Sequence, residues 1–145
     1  MDLSDVLLPA GFRRIQLSRS GVGHFHTPAS VAGRPVSALL DTGGSTSVLS
    51  LALAQEMGLD LVLTDDRGGG AGGAQMDVFL VQDADVRLDD MTTRLSALAA
   101  MDLSHANQAL IDNGESPIEL IIGVDVFTAH DAIIDYGTSS LFMKP

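Results

Sequence analysis

Cysteine and tryptophan are both missing from this chain. Without cysteine there can be no disulfide and no thiolate-bound metal. Aromatic residues are few, with a single Tyr, whereas glycine occurs 15 times. Apolar residues come in short runs broken by turn residues, which favours a β-rich fold over a helical bundle. No run approaches the roughly 18 apolar residues of a membrane span. The start, Met1-Asp2-Leu3-Ser4-Asp5, lacks the positive charge and long apolar stretch of a signal peptide, so a cytoplasmic protein is expected. Basic residues are scarce too: 8 against 19 acidic ones, a formal net charge of −11. Phosphate binding needs a basic face, so nucleic acid and anionic membranes are excluded as expected partners. With 145 residues, the expectation is one domain over 1–145, large enough to bury a core.

The chain has no long linker, repeat or low-complexity tail. Phe12 to Leu17 and Val22 to Val31 read as strands, with Gly33-Arg34-Pro35 as a turn and Val36 to Leu40 as a buried strand ending at Asp41. Ser47 or Ser50 can cap a short helix over Leu51 to Met57, terminated by Gly58. Leu59 to Leu63 is a strand. Residues 67–75 read RGGGAGGAQ, with five glycines in six positions, which cannot hold one rigid conformation unaided. Ala84, Val86 and Leu88 alternate with Asp83, Asp85 and Arg87, and Asp89-Asp90 can turn the chain back into Met91 to Leu98. Ser104 can cap a helix ending near Gly114, and Asp125 another running to about His130. Ile118 to Ile122 is a strand between them. Ala132 to Asp135 and Leu141 to Met143 form a terminal hairpin.

The chemically pointed segment is Leu39-Leu40-Asp41-Thr42-Gly43, echoed downstream by Ile121-Ile122-Gly123. By itself Asp-Thr-Gly also fits a plain turn after a strand. Its context is more specific: an apolar strand before it, Ser45-Thr46-Ser47-Val48-Leu49 after it, and a glycine-rich segment further on. The pairing resembles the signature of retropepsin-like aspartic proteases. The tail, Gly123-Val124-Asp125-Val126-Phe127 and Ala132-Ile133-Ile134-Asp135-Tyr136-Gly137, looks like their single-domain bacterial branch. The resemblance covers roughly residues 20–143.

It implies a mainly β fold, a closed acid-protease β-barrel with two or three short helices. It also implies peptide-bond hydrolysis by a water held between two carboxylates. Like charges about 3 Å apart share one proton, so one carboxyl serves as base and the other as acid. One Asp-Thr-Gly supplies one carboxylate, so the resemblance implies a homodimer with Asp41 from each chain and an extended peptide or protein substrate between them. That dimer must overcome charge repulsion, so salt should help it assemble. Gly43 lets the loop turn sharply beside the carboxylate, and Thr42 is implied to lock the two loops across the dimer axis. Gly44 and Ser45 are expected at the substrate. Gly69, Gly70, Ala71, Gly72 and Gly73 fall at the flap, a lid whose backbone would bond the peptide. Ile121, Ile122 and Gly123 are implied to pack beneath the catalytic loop.

Several features depart from the pattern. Gly44 replaces the usual Ala or Ser. Ser45 and Val124 replace the acid and Arg that often pair in retroviral members. An insertion around Leu95 to Pro117 exceeds the compact viral form. Asp135 reads as a turn residue, since Tyr136 cannot stand for the small hydroxyl residue of the motif. His24 and His26 have the spacing of a metal pair on a strand, but no third ligand is near in sequence, so no metal and no cofactor are expected. The alternative to an enzyme is a non-catalytic dimeric module that binds peptides or mediates assembly on the same fold.

Overall fold

The computed structural model describes residues 1–69 and 75–145. Asp2 opens α1 (Leu3–Leu7) with a capping box, its carboxylate accepting from the Ser4 and Asp5 N–H groups while Asp5 accepts from Asp2 N–H. β1 (Arg13–Gln16) and β2 (Ser18–Arg19) lead to the hairpin of β3 (Phe25–Val31) and β4 (Arg34–Leu40). Its turn is Ala32-Gly33, one residue earlier than the sequence suggests. Both carry positive φ, 48° and 82°, the geometry that matches the twist of the flanking strands.

After β4 come β5 (Val48–Ser50), α2 (Leu51–Glu56), β6 (Leu61–Gly69) and β7 (Gln75–Val81). Ser50 caps α2 and Gly58, at φ 69°, ends it, as expected. β8 (Val86–Leu88) and β9 (Met91–Thr92) turn through Asp89-Asp90. Then follow β10 (Leu98–Met101), α3 (Ser104–Asp112), β11 (Leu120–Ile122), α4 (Val124–Ala129), β12 (Ile133–Asp135) and β13 (Ser140–Met143).

The large sheet runs β6-β7-β10-β5-β11-β4-β3-β8-β9, with β2 also on β3, and β1-β13-β12 form a separate sheet. Mainly β architecture is thus observed. The expected closed barrel is not: among the described residues β6 and β9 remain unpaired edges of the ladder. β9 has only two residues, too short a rail to seal against β6. Among the described residues four helices stand where two or three were expected, the extra one being α1. α1 buries none of its residues, so no apolar periodicity facing a core announced it.

β11 sits between β4, to which it is parallel, and β5, to which it is antiparallel. The loop 41–47 joining β4 to β5 must therefore cross the end of β11. Strand alternation then sorts two faces. Val36, Ala38 and Leu40 of β4, Leu120 and Ile122 of β11, and Phe25, Ala29 and Val31 of β3 belong to the core or pack on it. Ser37 and Leu39, Ile121 and His26 occupy the opposite face. In register, Leu39 lies beside both His26 and Ile121.

His130, fully buried, ties the C-terminal end to this body. Its Nε2 accepts from Arg94 N–H at 2.9 Å, so Nδ1 carries the proton and donates to Lys144 O at 2.6 Å. His130→Ala should cost about 2–4 kcal/mol, through a cavity and an orphaned N–H, read as a shift in denaturation midpoint. An unchanged midpoint would show the latch to be dispensable.

Candidate active site

Asp41 follows directly on β4, on the non-core face shared by Ser37 and Leu39. Its backbone N–H donates to Ile122 O at 2.9 Å, which continues the β4–β11 pairing one step past the strand end. The side chain is half-buried. Asp41 Oδ1 accepts from Gly43 N–H at 2.9 Å, and Asp41 O accepts from Gly44 N–H at 3.1 Å. The carboxylate is thus aimed by its own loop. Gly43 and Gly44 crowd it closely: a β-carbon would lie 3.3 Å from Oδ1 at Gly43 and 3.4 Å from Oδ2 at Gly44. Thr42, Gly43 and Ser45 are exposed.

Beneath this loop lies Gly123. A side chain there would stand 2.6 Å from Gly44 O and 3.1 Å from the Thr46 backbone, which is backbone that cannot give way. The close approach lets Val124 N–H donate to Gly44 O at 2.8 Å. Ile122 is fully buried in the core and Ile121 faces the groove beside Asp41.

A groove of about 800 Å³ opens over Asp41. Gly43, Gly44, Ser45 and Ile121 line its floor, and Thr64, Gly68, Met76 and Val78 of the β6–β7 hairpin line it too. Gly69 pairs with Gln75 at the last described rung of that hairpin. The expected flap residues Gly70, Ala71, Gly72 and Gly73 lie outside the described residues. No second carboxylate shares a hydrogen bond with Asp41 among the described residues. Nor do three His, Asp or Glu side chains converge there as a metal cluster.

Sequence reasoning missed the tie that fixes the loop. Ser47 and Asp125 both read as helix caps. Instead Gly123 occupies the N-cap of α4, and the Asp125 carboxylate reaches back to accept from Ser47 N–H at 2.8 Å and Ser47 Oγ at 2.7 Å. Ser47 Oγ in turn accepts from Gly123 N–H at 3.0 Å. Ser47 is fully buried, so these bonds are shielded from water. The signal available was one of types alone, a hydroxyl just past the motif and an acid two residues past Gly123. Ser47→Ala should destabilise the fold by about 1.5–3 kcal/mol, because Asp125 and Gly123 N–H lose partners together. Equilibrium unfolding reads it, and a loss within ±0.5 kcal/mol, the size of a neutral surface change, would contradict the tie.

The family model described as aspartyl protease matches residues 27–126. Nothing among curated proteins matches the chain. Among solved structures, the fold is similar to a retropepsin-like aspartic protease from Rickettsia conorii (18% identity, TM-score 0.61, covering 91% of this chain and 90% of that one). It is also similar to the retroviral protease-like domain of Ddi1 from Leishmania major (20%, 0.54, 81% and 86%). A third is the EIAV protease complexed with the inhibitor HBY-793 (18%, 0.55, 77% and 91%). At such identities these structures speak to the fold, while the profile match spans most of the chain and includes Asp41-Thr42-Gly43 and Ile121-Ile122-Gly123. The chain therefore belongs to the aspartyl protease family, with a retropepsin-like fold.

Proposed function

We propose that this protein is an aspartic endopeptidase whose catalytic pair is Asp41 from each chain of a homodimer. The observation that carries the reading is the placement of Asp41: a half-buried carboxylate, aimed by Gly43 N–H, in a groove of about 800 Å³. A lone carboxylate is a weak catalyst, and a second one across a dimer axis would let one act as base toward water and the other as acid toward the carbonyl. Thr42, exposed beside Asp41, would meet its counterpart across that axis. Substrate would lie as an added strand between the floor and the β6–β7 hairpin, with Gly69 to Gly73 closing over it. Ile121, Ile122 and Gly123 would hold the loop in place. No helix among the described residues is long and apolar enough to cross a membrane.

Cleavage of a diverse peptide library between about pH 4 and 7 tests this, wild type beside Asp41→Asn. The variant should lose about 10²–10⁴-fold in rate while unfolding at the same denaturant concentration. Retained cleavage by Asp41→Asn would sink the mechanism. If neither protein cleaves but both dimerise and bind extended peptides, the non-catalytic binding module takes its place.

The shared pair also makes activity depend on assembly. Activity per chain should fall on dilution through the dimer dissociation range and recover with added salt, which screens the −11 charge on each chain. Constant activity in a species that sediments as a monomer would exclude a dyad built from two chains.

A further inference from the structure

A second cavity, about 270 Å³, opens on the same sheet face as Asp41. Ser37 and Leu39 line it, His26 stands opposite Leu39 in register, and Asp41 continues that face past the end of β4. Leu39 and Asp41 are two residues apart, about 7 Å along an extended chain, which is also the spacing of same-side residues in a bound extended peptide. A peptide strand laid over Asp41 along the line of β4 would carry a side chain toward this cavity.

Its walls carry several hydrogen-bond donors. One wall is β2 and the turn after it, where Ser20 N–H donates to His24 O at 2.8 Å and Gly23 N–H to Ser20 O at 2.9 Å. Gly23, at φ 89°, permits that tight return. His24 thus lies just before β3 and not on it, yet projects from a closed turn beside His26. Arg19 belongs to this wall through its place on β2, while its guanidinium stacks 4.7 Å from the Phe25 ring centroid and 5.5 Å from that of Tyr136, on the Phe25 side of the sheet. The opposite wall is Glu115, Ser116 and Ile118. Asn107 of α3 clamps it, accepting from Ile118 N–H at 2.6 Å and donating to Ile118 O at 3.2 Å. Most of this wall belongs to the segment by which the chain exceeds the compact viral form.

Three titratable side chains face the cavity: His24, His26 and Glu115. None belongs to an ion pair within 4.0 Å among the described residues. Once the imidazoles are protonated, two cationic groups stand against one carboxylate. We propose that this cavity is a substrate subsite that takes the carboxylate side chain of an Asp or Glu residue in the extended peptide. The proposal rests on the peptide-cleaving reading given above. Partial burial, then the neighbouring His24 charge, hold the His26 imidazole below its ordinary range, with Glu115 opposing them. A bound carboxylate offsets both effects, so binding and imidazole protonation favour each other. The preference should be largest at mildly acidic pH, where carboxylate is ionised and imidazole still charged, and should be lost as pH rises through the lowered His26 range.

Two readouts separate this subsite from the cleavage reaction. In the library, wild type should favour Asp and Glu at one position near the scissile bond, and His24→Gln/His26→Gln should lose that preference. Separately, twin peptides capped at both ends, one with Glu and one with Gln at that position, are titrated into the Asp41→Asn protein. If the library yields no cleavage, the twins are drawn from a set with Glu or Gln scanned along an extended peptide. The Glu twin should bind about tenfold tighter at pH 5.5 and raise the His26 titration midpoint in its imidazole proton resonances. Equal binding of the twins in the folded protein, or an acidic preference untouched by the double variant, overturns the subsite. Tighter binding of the Glu twin without any cleavage leaves the subsite standing and removes the protease reading.

Discussion

Gly123 and Gly44 approach so closely that a single methyl group between them would collide with a carbonyl oxygen. The groove depends on this contact because β11 is threaded between β4 and β5, and the loop bearing Asp41 has to pass over its end. Were the loop lifted by even the width of a side chain, the Val124 bond to Gly44 O would break and the carboxylate would lose its aim. Catalytic groups need placement to a fraction of an ångström, and here the placement comes from backbone packed on backbone, which has no rotamers to choose among.

Where the resemblance implies an acid on the loop and an Arg past the second glycine, this chain joins the same segments through Ser47 and Asp125. In this chain those two positions are Ser45 and Val124. The carboxylate comes instead from the first turn of α4, and the donors from the loop. Asp125 thus gains from the helix N-terminus as well as from Ser47. A hydroxyl and an N–H directed at one buried-side carboxylate make the arrangement geometrically specific.

The sequence carried the motif pair and the strands that became β3 and β4, because those rest on local chemistry: apolar runs bounded by turn residues, a small hydroxyl residue, and glycine where a side chain cannot fit. β8–β9 and α2 were legible for the same reason, each bounded by turn or cap residues that act within four positions. What stayed hidden is non-local. β5 is three residues long and exists because β11 and β10 flank it, so no pattern inside it could announce it. Ser47 and Asp125 are 78 positions apart, and each alone is a plausible cap. His24 and His26 drew notice as a pair, but Glu115 joins them only through the fold of the segment after α3.

That segment bears on how an acidic chain could handle acidic peptides. At long range the net charge of −11 repels them. At physiological ionic strength that field decays over about 8 Å, whereas charges in contact inside a partly enclosed cavity are screened far less. Short-range placement of His24 and His26 can therefore outweigh the overall charge once a peptide is seated. A repulsive exterior and a locally cationic cavity together penalise acidic peptides that cannot seat their carboxylate there. Such a combination selects on position as well as on composition, which is what discrimination among many extended chains requires.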